Sequence, residues 1–84
     1  ADEVLLISAA DKWHNLASIL ADAKQLGEMV FDRFIRQDFE RTDKKKMVLW
    51  YYKEIISVYR ERKVAAAPEL DSLLDEIVTV TQAD

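Results

Sequence analysis

Across 84 residues the chain has a single glycine, Gly27, and a single proline, Pro68. Those two residue types punctuate most turns, so their scarcity leaves helices joined by short connections as the architecture that fits. Half the residues are hydrophobic and 33% are charged, a balance that supports a packed core rather than disorder. The expectation is one domain over residues 1–84, an all-α bundle of about four helices. The absence of cysteine removes a disulfide framework and suits a reducing, cytoplasmic setting. No apolar run is long enough to span a bilayer and no signal-peptide pattern opens the chain, so no membrane partner is expected. A net charge of −4 argues against a general nucleic-acid binder.

In chain order, residues 3–26 read as a first helix that is apolar nearly all round. Leu5, Leu6, Ile7, Trp13, Leu16 and Leu20 point in many directions, and such a helix belongs in the middle of a larger protein. Three further helices can cover only part of it, and its N-terminal half is expected to stay open. That surplus favours either a further segment packed on the first helix or a homo-oligomer formed through it. Gly27 supplies the stop. Residues 28–37 read as a second helix with Val30, Phe31, Phe34 and Ile35 inward, followed by a polar connection around Phe39. Thr42 or Asp43 then caps a third helix over 43–62. Its buried face is expected to run Met47, Tyr51, Ile55, Val58 and Tyr59, with Trp50 and Tyr52 on the flanks. Lys44, Lys45 and Lys46 sit at the wrong end of that helix for its dipole, a faint hint of a phosphate role, and read first as a solvated face. Trp50, Tyr51 and Tyr52 could stack a base, but aromatics at helical spacing read as core. After a weak linker over 65–67, Pro68 falls in the first turn of a fourth helix, with Leu70, Leu73, Leu74, Ile77 and Val80 inward.

Within the first helix, Ser8 to Leu20 carries a contrasting pattern. Asp11, His14, Asn15 and Ser18 are spaced i, i+3, i+4 and i+7 and share one side of the helix. A buried carboxylate is costly unless it is paired or metal-bound, so this stripe calls for a hydrogen-bonded core or a site. Each residue has an ordinary reading beside the functional one. Asp11 is then an exposed acid, His14 a satisfied core imidazole, Asn15 a buried amide bonded to backbone and Ser18 a hydroxyl bonded one turn back.

The segment AADKWHNLASIL resembles the A-D-[KR]-x-H-N element of the HD-domain metal-dependent phosphohydrolases. The most similar branch is that of the guanosine bis(diphosphate) 3′-pyrophosphohydrolases. The likeness extends through GEMVFDRF and LWYYKEI and covers roughly residues 4–62. It implies that Asp11 is the last ligand of a divalent ion, Mn²⁺ or similar, held by two histidines and two aspartates. It also implies that Asn15 and Ser18 line the substrate pocket, that His14 is a structural partner, and that the WYY segment packs on the central helix. The substrate would be a nucleotide or another phosphate ester or anhydride, and the bound ion would activate water for its hydrolysis.

The family's early histidine and its adjacent His-Asp pair are not in this sequence, whose one histidine is His14. The resemblance therefore places three of the four ligands ahead of Ala1 and makes these residues the C-terminal part of an HD fold. On that reading the segment holds no catalytic acid or base, binds no metal by itself and is inactive alone. A different class fits the same residues: a non-catalytic helical interaction module whose apolar first helix is a protein contact and whose stripe sets the register.

Overall fold

Gly27 ends the first helix through its backbone conformation. Its φ is +60°, which a residue without Cβ adopts at no steric cost, and the helix before it, α1, spans Asp2–Leu26. The structure, a computed structural model, describes residues 2–33 and 41–82. A 3₁₀ segment follows at Gly27–Arg33, then α2 at Arg41–Glu61 and α3 at Ala67–Val80. The described residues are all-helical as expected, with three α-helices among them rather than four. In its described part, the helix expected over 28–37 is the 3₁₀ segment, and its neighbouring Val30 and Phe31 are both buried in the core. The expectations for Phe34, Ile35 and the connection around Phe39 lie outside the described residues.

α2 begins at Arg41, so Asp43 stands within its first turn, where an acid suits the helix dipole, rather than at the cap. The side chain of Thr42, the other expected cap, is outside the described set. The buried face of α2 differs from the expected one. Val48, Tyr52, Ile56 and Tyr59 are buried and Ile55 is half-buried, while Met47, Tyr51 and Val58 are exposed and Trp50 is 64% exposed. The WYY segment is therefore only partly core. Lys44 borders the buried face. It is buried to 6% exposure, and its four-carbon stem continues the stripe of Val48, Tyr52 and Ile56 by one turn, as a long cationic side chain can. Of the lysine run expected on a solvated face, only Lys46 is exposed. The half-buried Lys45 donates from Nζ to the Thr81 carbonyl at 2.9 Å, placing a cation on the negative end of α3.

The end of α2 is a Schellman motif. Val64 N–H donates to the Tyr59 carbonyl at 2.9 Å and Lys63 N–H to the Arg60 carbonyl at 3.1 Å. Lys63 takes the left-handed position, with φ 58°. Tyr59 and Val64, the side chains that usually meet in this motif, are both buried. Four residues after Val64, Pro68 lies in the first turn of α3, where its missing N–H is not needed. Ala67, Leu70, Leu74 and Ile77 form the buried face of α3 and Leu73 is half-buried, but Val80 is 37% exposed.

α1 and α2 each pack on α3 and on the 3₁₀ segment. One core joins Leu16, Phe31, Ile56, Leu70, Leu74 and Ile77, each almost fully excluded from water. Burying each such side chain contributes about 1.5–3 kcal/mol. α1 reaches α2 through a hydrogen bond shared by the Ser8 and Tyr59 hydroxyls. At about 1.5 Å per residue α1 is about 37 Å long, matching the longest dimension of 38 Å. α3 reaches only about 21 Å on the same rise, so it cannot cover α1 along its length. Val4, Leu6, Ile7 and Trp13 stay 68, 56, 72 and 40% exposed, as the surplus of apolar residues in α1 implies. Among the described residues no helix is long and apolar enough to cross a membrane.

Candidate functional site on α1

The buried side of α1 is carried by Ala9, Leu16, Ile19, Leu20 and Ala23. Helical spacing turns the polar stripe away from that side. Asp11, His14 and Ser18 are exposed, and Asn15 is half-buried at the stripe's edge. His14 thus stands outward in this chain, not in the core position of its ordinary reading. The Asp11 side chain is 65% exposed, and Lys12 Nζ approaches its Oδ2 at 3.6 Å. An ion pair at such a surface is worth less than about 1 kcal/mol.

The stripe brings a carboxylate, an imidazole, an amide and a hydroxyl together along two turns of one helix. A carboxylate is a suitable donor for a hard divalent cation, and an amide and hydroxyl can bond phosphate or sugar oxygens. Among the described residues no three His, Cys, Asp or Glu side chains converge as metal ligands. Asp11 supplies one donor of the six or so that such a cation takes.

A second face of α1 carries its own signal in the sequence. Leu6, Ala9, Ala10 and Trp13, spaced i, i+3, i+4 and i+7, line a surface groove of about 460 Å³ with Ala66 and Glu69. Leu5 and Leu6 line an adjoining groove with Arg62, Lys63, Val64 and Ala65. The apolar spacing of this face is as regular as that of the polar stripe.

Compared with known protein families, curated proteins and solved structures, the chain matches none of them.

Proposed function

We propose that this chain is the later part of an HD-type metal-dependent phosphohydrolase domain acting on a nucleotide or another phosphate ester or anhydride. Asp11 is one ligand of its divalent ion, Asn15 and Ser18 face the substrate, and His14 is a structural partner for the segment that completes the site. The observation that supports this reading is the stance of the stripe. Asp11, His14 and Ser18 point outward from a helix whose other faces are apolar, where a further segment can meet them. A guanosine bis(diphosphate) is the substrate class the resemblance favours. The remaining ligands come from outside these 84 residues, so this chain alone should be inactive. Purified chain given Mn²⁺ and a guanosine bis(diphosphate) should release no pyrophosphate above background.

The deciding experiment uses the complete domain. Asp11→Asn keeps the shape but removes the charge that holds the ion, so metal content and turnover should fall together while the fold survives. Asn15→Ala should leave metal content unchanged and lower kcat/KM by roughly 1–3 kcal/mol, the cost of an unsatisfied polar partner. Full metal occupancy and full turnover in Asp11→Asn would remove the reading. The exposed apolar side chains of α1 favour a second one, a non-catalytic interaction module. It predicts that both substitutions leave metal content unchanged.

A further inference from the structure

The groove lies roughly 140° around α1 from the polar stripe, at about 3.6 residues per turn, so it is open to a different partner. Leu6 and Trp13 stand at either end of one apolar face and are 56 and 40% exposed. Ala9 and Ala10 lie between them on the groove floor. Charge differs between the two grooves. The groove beside Leu5 and Leu6 carries Arg62 and Lys63; the one that runs from Leu6 to Trp13 carries Glu69. All three charged residues are exposed, and none takes part in an ion pair among the described residues.

We infer that this face of α1 is a self-association surface, pairing two copies of the chain antiparallel about a two-fold axis beside Ala9 and Ala10. The pattern is its own complement under that rotation. Leu6 of each copy meets Trp13 of the other, and the helices cross at the exposed Ala10, whose small side chain lets them approach. Glu69 of each copy comes to the Arg62 and Lys63 end of the other. A parallel pairing would set like charges together, so the charges select the antiparallel one. Leu6 and Trp13 supply the buried apolar contact, with an aromatic anchor at each end, and the contact is isologous, as in most homodimers. This inference does not depend on the metal reading, which uses the other face of the helix.

Charge reversal tests it through sedimentation velocity across the micromolar range. The unaltered chain should be a dimer. Glu69→Arg alone should be a monomer, as should the double variant Arg62→Glu, Lys63→Glu. An equimolar mixture of the two variants should restore the dimer, because both charged contacts are then again between opposite signs. All three side chains are exposed, so circular dichroism and melting should show the fold intact. If either reversal nevertheless disturbs folding, Ala10→Trp supplies a second probe: Ala10 is exposed, and a large side chain there blocks the crossing without entering the core. A monomeric unaltered chain, a dimer indifferent to these changes, or a mixture that stays monomeric would overturn the inference.

Discussion

Lys63 holds a backbone conformation that a residue bearing a Cβ adopts at a cost of roughly 1–2 kcal/mol. It does so because the turn after α2 needs a left-handed residue for the Val64 and Lys63 amides to reach Tyr59 and Arg60. Lys63→Gly should therefore stabilise the fold by about 0.5–1 kcal/mol, the relief of strain less the entropy that glycine adds to the unfolded chain. The gain would be read as a higher urea midpoint at unchanged slope. Gly27 is the converse case. Nothing lies within 4 Å of the Cβ that an alanine would place there, so Gly27→Ala should cost about 1 kcal/mol through its φ of +60° alone. A much larger loss would mean that the end of α1 is tied down by something beyond this turn. The two substitutions thus separate dihedral strain from crowding.

At the scale of elements, α2 tests how far sequence spacing reaches. Two stripes on it satisfy helical periodicity, one through Met47, Tyr51, Ile55 and Val58, the other through Val48, Tyr52, Ile56 and Tyr59. Apolar counting prefers the first, because the second is continued by a lysine. The structure takes the second, since the Lys44 stem packs and both α3 and the 3₁₀ segment meet that face. Adjacent tyrosines supply the check, as Tyr51 is 48% exposed and Tyr52 only 6%. Tyr52→Ala should destabilise by about 3–4 kcal/mol, whereas Tyr51→Ala should stay within about 0.5–1 kcal/mol. Equal losses would count against this face. Other elements were legible because one local cause governs each: apolar density for α1, Gly27 for its end, Pro68 for the start of α3. The outward turn of Asp11, His14 and Ser18 was not legible: in a helix apolar nearly all round His14 reads as a core imidazole, and only the packing of Leu16, Ile19 and Ala23 against the rest of the chain turns the stripe outward. The choice between two faces of α2 was not legible, because the partner that decides it is far away in sequence.

For the whole molecule, the decisive fact is that α1 is nearly twice as long as α3, the helix packed along it, which leaves it with two surfaces of different chemistry. The end of α2 sits where the parts converge. Tyr59 buries its ring, shares its hydroxyl with Ser8 of α1 and accepts at its carbonyl from Val64. Val64 in turn accepts at its own carbonyl from the Ala67 N–H that opens α3. Any breathing of this turn must therefore loosen all three helices. In amide hydrogen exchange, the Lys63 and Val64 protons should be released at the rate of the core helices and slow with them as the fold is stabilised. What looks like a connecting loop is bonded to each of the three helices around it and should move only when they do.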